Sequence, residues 1–155
     1  MNKGFVFILI LALVAAFSSC KKSASDEEAK LEKQIFANYI KKNNITVAPR
    51  VSGLYYIEEV AGTGDYPTYG DDVTMKYTGK LVANDSIFDS GTIKFRYLVS
   101  NMVAGVDEGL GLMKKGGKAK LLFLSGLGYG STGSGSVPAY SSLLFEVEIV
   151  DIVKN

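Results

Sequence analysis

The chain has 155 residues, 17 basic and 16 acidic side chains, no histidine and a single cysteine. This length suits one domain of ordinary size. The near-neutral charge gives no reason to expect a nucleic-acid partner. Without histidine the chain cannot hold a Ser-His-Asp triad, a Cys-His pair or a histidine-ligated metal, and one cysteine excludes an internal disulfide and a zinc-binding cysteine cluster.

The first 19 residues have the pattern of an export signal. Lys3 is followed by an apolar run over residues 5–17, which is short for a membrane span of roughly 20 residues. The small residues before Cys20 resemble a bacterial lipobox, in which the cysteine becomes the lipidated first residue; the alternative is an ordinary secretory signal with a free cysteine nearby. We predict a lipoprotein signal peptide over residues 1–19 and a lipid anchor at Cys20. The predicted location is the cell envelope, at the periplasmic or the surface-exposed face of the outer membrane.

Residues 20–52 are expected to form a tether, an amphipathic helix and an extended linker. Apolar residues recur at helical spacing and predict a helix over residues 26–42. They are Leu31, Ile35, Phe36, Tyr39 and Ile40. Such an apolar stripe needs a partner. The partner is either the following domain or a second copy of the chain, so a dimer through this helix is one alternative.

Residues 53–155 are expected to form an α+β domain. Alternating apolar and polar residues predict strands over residues 54–60, from 73 to a turn near 84, and over 95–99, 118–123 and 143–149. Between them, apolar residues at 102, 106, 110 and 113 predict one short helix, weakened by three glycines. The expected fold is a twisted antiparallel sheet with this helix on its concave face. The core would lie between the helix and Tyr77, Leu121, Phe123, Phe145 and Val147.

Several short motifs follow one another across residues 53–153. In chain order they are Val73–Leu81, Phe88-Asp89-Ser90, Gly105–Leu110, Gly116-Gly117-Lys118, Leu127–Gly130, Val137-Pro138 and Phe145–Glu148. Their order and spacing resemble the FKBP-type peptidyl-prolyl cis-trans isomerases. The resemblance implies an FKBP-like fold and an enzyme that rotates X–Pro bonds in proline-containing polypeptides, assisting the folding of exported or envelope proteins.

The resemblance also implies a site. Catalytic roles fall on Tyr77, Asp89 and Tyr129: Asp89 would hold the Tyr77 hydroxyl near the rotating amide, and the Tyr129 hydroxyl would bind a substrate carbonyl from an overhanging loop. The backbone N–H of Val103 would bind a second carbonyl, and Val137 would close one side of the pocket. The substrate-binding positions together are Phe88, Ile93, Val103, Val106, Val137 and Phe145.

The implied chemistry needs no nucleophile, metal or cofactor. The barrier to rotation of an X–Pro bond is about 20 kcal/mol and comes largely from amide resonance. An apolar pocket removes water from the planar, more polar amide and so favours the twisted form. A few fixed donors then stabilise the rotated carbonyl. A chain without histidine can perform such a reaction.

Two positions depart from the family pattern. The pocket floor, commonly tryptophan, is Val106, and a usually aromatic wall position is Ile93, after a shortened loop. A smaller floor buries less of the proline ring and weakens its binding. An alternative function therefore stays open: a catalytically weak binding module or chaperone of the same fold that grips proline-containing or unfolded segments.

Overall fold

The computed structural model describes residues 24–155, so the predicted signal peptide and Cys20 lie outside the described residues. Helix α1 covers residues 24–42, which confirms the predicted N-terminal helix. The elements that follow are β1 (Tyr55–Val60), β2 (Asp72–Leu81), β3 (Ile87–Arg96), α2 (Ala104–Leu110), β4 (Lys118–Phe123), a 3-10 turn (Ser125–Leu127) and β5 (Leu143–Val153).

The five strands form one antiparallel sheet in the order β1-β4-β5-β2-β3. This confirms the predicted fold class. The prediction of a strand over residues 95–99 was wrong, because β3 runs over Ile87–Arg96 and the chain turns at Tyr97. Asp89, Ser90 and Gly91 have low strand propensity and hid this edge strand, which forms because β2 offers it a continuous hydrogen-bonding partner.

The main core lies between α2 and one face of the sheet. Val106, Leu110 and Met113 are buried there against Leu121 and Phe123. The glycines of α2 shape this contact: a Cβ at Gly105 would lie 2.5 Å from the Phe123 ring, and one at Gly109 would collide with Leu121. The glycines that weaken the helix therefore allow it to pack closely on β4.

Helix α1 covers the opposite face of the sheet. Phe36 is 7% exposed and packs with Val82, Leu122 and Leu144. Its ring meets that of Tyr55 edge-on, with centroids 5.7 Å apart. The domain itself is thus one partner of the apolar stripe. Within residues 24–155, no helix is both long and apolar enough to cross a bilayer.

Candidate active site

A bulge in the edge strand brings two consecutive residues of β3 to one side of the sheet. Gly79 of β2 pairs with Asp89 and Lys80 pairs with Ile87, so Phe88 is the extra residue. Neighbouring residues of a regular strand point to opposite faces, and a bulge changes this alternation. The Phe88 ring lies directly over Gly79, where a Cβ would be 2.5 Å from Phe88 Cζ. Phe88 and Asp89 can therefore serve the same site.

Tyr77 and Asp89 form the polar centre of this site. The Tyr77 hydroxyl donates a hydrogen bond of 2.7 Å to Asp89 Oδ2, and Asp89 Oδ1 accepts from the N–H of Ser90 at 2.9 Å. The bond to Asp89, together with burial, raises the pKa of Tyr77 to about 12. The phenol therefore stays protonated at neutral pH and fixes the carboxylate in one orientation. Asp89 is exposed, so its carboxylate lies at the mouth of the site.

Aromatic rings surround this pair. Phe145 of β5 lies edge-on to Phe88, with centroids 5.6 Å apart, and 6.4 Å from Tyr77. Beneath it, Phe123 stacks on Phe145 at 6.0 Å with an interplanar angle of 13°. Phe145 is 4% exposed, whereas Phe88 and Tyr77 are half-buried. The cleft is thus rigid below and open above, as a site for an apolar ring requires.

The loop between β4 and β5 supplies the second tyrosine. The ring of Tyr129 lies edge-on to Phe88 with centroids 6.3 Å apart. Burial raises the pKa of Tyr129, and the negative charge of Asp89 adds to this effect. Within residues 24–155 the Tyr129 hydroxyl donates no hydrogen bond, so it is available to a bound carbonyl. Val137, farther along the loop, is 5% exposed and belongs to the main core.

Helix α2 begins beneath the cleft. Val103 is its N-cap residue, with an extended backbone at φ −67° and ψ 140°. The Val103 carbonyl accepts from Val106 and Asp107 at 2.9 and 3.1 Å, while its own N–H makes no hydrogen bond within the described part of the chain. Val106 is fully buried in the core cluster that also contains Phe145. The structure thus provides a free donor at a helix start above an aliphatic floor.

Ile93 lies farther along β3 on the side that carries Asp89. It pairs with Met75, Gly91 pairs with Tyr77, and these registers place Asp89, Gly91 and Ile93 on one face of the strand. The half-buried Ile93 packs against the main core. All nine positions predicted for catalysis and proline binding thus belong to one side of the sheet, and their individual roles stay predictions.

The role of Gly79 in this geometry was not predicted from the sequence. A glycine in a strand signals a bulge or a close approach, and Gly79 shows both, because it pairs at the bulge and has the Phe88 ring packed on it. A separate cavity of about 430 Å³ lies on the other side of the sheet, between the end of α1 and a surface containing Lys80, Lys120 and Glu146. Its charges are largely paired, as in the 2.9 Å bond from Lys80 to Glu146.

Comparisons with known proteins point to one family. Residues 64–150 match the model for FKBP-type peptidyl-prolyl cis-trans isomerases. Peptidyl-prolyl cis-trans isomerase FKBP15-3 of Arabidopsis thaliana is 36% identical over 87% of this chain and 96% of its own. A Haemophilus influenzae protein named for the same family is 37% identical over 92% of this chain but only 60% of its own, and Escherichia coli FkpA is 33% identical over 89% and 51%. The chain thus spans about half to three fifths of these two bacterial relatives.

Solved structures agree with the sequence relatives. The crystal structure of Escherichia coli FkpA superposes with a TM-score of 0.74 at 28% identity, covering 99% of this chain and 74% of that one. A peptidyl-prolyl cis-trans isomerase from Pseudomonas syringae gives a TM-score of 0.72 at 26% identity, covering 84% of this chain and 96% of that one.

Proposed function

Because the chain belongs to the family of FKBP-type peptidyl-prolyl cis-trans isomerases, we propose that it catalyses the cis–trans rotation of X–Pro bonds in polypeptides. The observation that supports this most is the 2.7 Å hydrogen bond from Tyr77 to Asp89 at the mouth of the aromatic cleft. A cleft that only gripped apolar side chains would not need an exposed, oriented carboxylate beside its rings.

The proposed mechanism uses the cleft to favour the twisted amide. Phe88 and Phe145 hold the proline ring and exclude water from the preceding carbonyl, which weakens the stabilisation of the planar, more polar amide. The Tyr129 hydroxyl and the Val103 N–H bind carbonyls of the substrate and fix the chain on either side of the rotating bond. Asp89, held by Tyr77, faces the edge of the rotating amide. Catalysis is then selective binding of the rotated form.

The experiment that tests this function is NMR exchange spectroscopy on a panel of X–Pro peptides. We expect the protein to accelerate cis–trans exchange at substoichiometric amounts. Val106 gives the alternative its support, because a valine floor buries less of the ring than an indole would. Peptide binding without acceleration would therefore identify a binding module of this fold and refute the enzyme.

The export-signal pattern of residues 1–19 supports a proposal about the location of the protein and the substrates it meets there. We propose that the mature protein is lipid-anchored through Cys20 in the cell envelope, at the outer membrane, and acts on exported polypeptides there. Fractionation of cells that produce the Cys20→Ser variant tests the anchor. The variant is expected in the soluble fraction, and membrane retention equal to that of the wild type would contradict lipidation. Proteinase treatment of intact cells then distinguishes the periplasmic face from the surface-exposed one.

A dimer through α1 stays a prediction. In support, Leu31 of the apolar stripe is 56% exposed. Against a large interface, Phe36 is already covered by the domain's own sheet. Light scattering coupled to size-exclusion chromatography decides between the two states, with Leu31→Glu as the variant that would separate a dimer built on this surface.

A further inference from the structure

A buried carboxylate joins α1 to the loop above the cleft. Glu32 is only 7% exposed. Its Oε1 accepts from the backbone N–H of Ser125 at 2.5 Å and from the hydroxyl of Ser142 at 3.0 Å, while Oε2 accepts from the hydroxyl of Ser125 at 2.8 Å. A buried charge is costly unless hydrogen bonds compensate it. Three donors from two distant points of the chain do so here.

One of these bonds caps the 3-10 turn at the start of the loop. The residue before this turn, Leu124, has no side-chain oxygen and makes no capping bond. The first N–H groups of a helical turn need an external acceptor. Glu32 supplies one from 93 positions away in the sequence. The start of the loop therefore depends on α1 for a bond that loops normally form locally.

The loop between the two contact points is internally bonded. Gly130 N–H donates to the Ser125 carbonyl at 2.9 Å, and Tyr140 N–H donates to the Gly130 carbonyl at 3.0 Å. Ser134 and Val137 exchange two bonds of 2.9 Å. Such a loop moves as a unit, because a displacement at either end is transmitted through these bonds. Its position is then set by Val137, which is buried in the main core, and by the contacts at its two ends, where the Ser142 carbonyl also accepts from Val82 N–H at 3.0 Å.

The far end of the loop has free space beside it. A cavity of about 300 Å³ lies between α1 and the end of the loop, with Leu31 and Ile35 on the helix side and Pro138 and Tyr140 on the loop side. Apolar packing does not fill this gap. The bond from Ser142 to Glu32 is therefore a main restraint between this end of the loop and the helix.

We propose that Glu32 is a positioning residue for the isomerase site. It clamps both ends of the loop over residues 125–142 and so holds Tyr129 over the cleft and Val137 at its side. Helix α1 thereby becomes part of the functional unit and is more than a spacer between an anchor and a domain. The kinetic part of this inference rests on the proposed isomerase function, whereas the clamp itself does not.

The test compares Glu32→Ala with Glu27→Ala in the full chain in detergent micelles. Glu27 is an exposed acid of the same helix, and its Oε2 lies 4.0 Å from Lys30 Nζ. We expect Glu32→Ala to lower kcat/KM roughly tenfold, since small displacements of positioning groups have effects of this size or larger. Amide hydrogen exchange should speed up over residues 125–142 and stay unchanged in β2. Glu27→Ala should match the wild type in both measurements.

Two further variants separate positioning from folding. Glu32→Gln keeps an oxygen that can accept from Ser125 N–H and Ser142, so it should recover most of kcat/KM. If Glu32→Ala does not fold, Ser142→Ala removes one bond at one end of the loop and should give a smaller loss with faster exchange near residue 142. A merely structural role would lower the melting temperature and leave kcat/KM and loop exchange of the folded variant unchanged, which would overturn the proposal.

Failure of the proposed isomerase function would be distinguishable from failure of the proposed clamp. A wild-type chain that does not accelerate exchange refutes the isomerase, yet the hydrogen exchange of residues 125–142 in Glu32→Ala still decides the clamp. Faster loop exchange in that variant would support the clamp, and unchanged exchange would overturn it.

Discussion

The two faces of the sheet are built from the same strands but have different tasks. Leu121 and Phe145 point into the core beneath the aromatic cleft, whereas their neighbours Leu122 and Leu144 point to α1 on the other side. The cleft face leaves Tyr77 and other aromatic residues half-buried. On the α1 face, Phe36 simply covers an apolar patch. The comparison shows that the groups on the α1 face, apolar side chains and the buried Glu32, are used for contacts within the chain, while the cleft face also keeps polar groups open for a ligand.

The largest expected effect is on stability and would come from disrupting the packing of α1 on the sheet. Phe36→Ala removes a ring that is 7% exposed and should lower the free energy of unfolding by about 3 kcal/mol. Because the cleft lies on the opposite face, the pKa of Tyr77 should stay at about 12. Urea denaturation and an alkaline spectroscopic titration measure the two quantities. Leu31→Ala, at a residue that is 56% exposed, is the control. A shift in the pKa of Tyr77 in Phe36→Ala would show that the two faces are coupled at Phe36.

On the cleft face, Asp89→Ala should act on turnover rather than on stability. We expect kcat to fall about 30-fold and peptide affinity to change less than about threefold, because an interaction that matters in the transition state affects kcat most. Exchange spectroscopy and peptide titration give both numbers. Asp65→Ala, at an exposed acid outside the site, is the matched control. Equal losses of turnover and affinity would deny Asp89 a special role.

A pair of glycine variants sharpens the comparison within the cleft. A Cβ at Gly79 would lie 2.5 Å from Phe88 Cζ, whereas one at Gly91 would lie 3.9 Å from Tyr77 Cε1. Gly79→Ala should therefore displace Phe88 and lower kcat/KM roughly tenfold, while Gly91→Ala makes an ordinary contact and should stay within about twofold. Steady-state kinetics with a proline peptide measures both. Equal effects would mean that the bulge does not fix Phe88.

The smallest expected effect concerns alkaline stability. The pKa of Tyr77 is about 12 in the folded chain against an ordinary 10.0, so the fold favours the neutral phenol. That contribution is fully present below pH 10 and is lost as the pH rises through about 12. Tyr77→Phe should consequently lose less stability over this interval than the wild type, as followed by urea midpoints. Asp89→Ala should move the pKa of Tyr77 back toward its ordinary value.

Periodicity was sufficient for most of the fold. Strands β2, β4 and β5 alternate clearly because one of their sides is buried more than the other, and the helix over residues 24–42 has an apolar stripe. Alternation did not predict strand β3, because Phe88, at the bulge, interrupts the alternation of apolar and polar residues and polar residues follow it. No local pattern marks such an edge strand, whose partner β2 lies elsewhere in the sequence.

The site was predictable only in part. The resemblance selected Tyr77, Asp89 and Tyr129 by their motifs, and the structure brings them together with Phe88. The same motifs say nothing about Glu32, which reads as one more acidic residue on the polar side of a helix. Its hydrogen bonds reach residues 93 and 110 positions away. Burial of this kind is a property of the folded chain and has no signal in local periodicity.

The position of the last strand has a consequence for synthesis. Strand β5 lies between β4 and β2, and Asp72, near the start of the domain, pairs with Val153, close to the end of the chain. Until β5 has been synthesised, β4 and β2 lack the strand that lies between them, and the cleft lacks Phe145. Such long-range pairing delays formation of the sheet until β5 has been synthesised. A growing chain of this topology therefore cannot complete its aromatic cleft before residues 143–153 have been made.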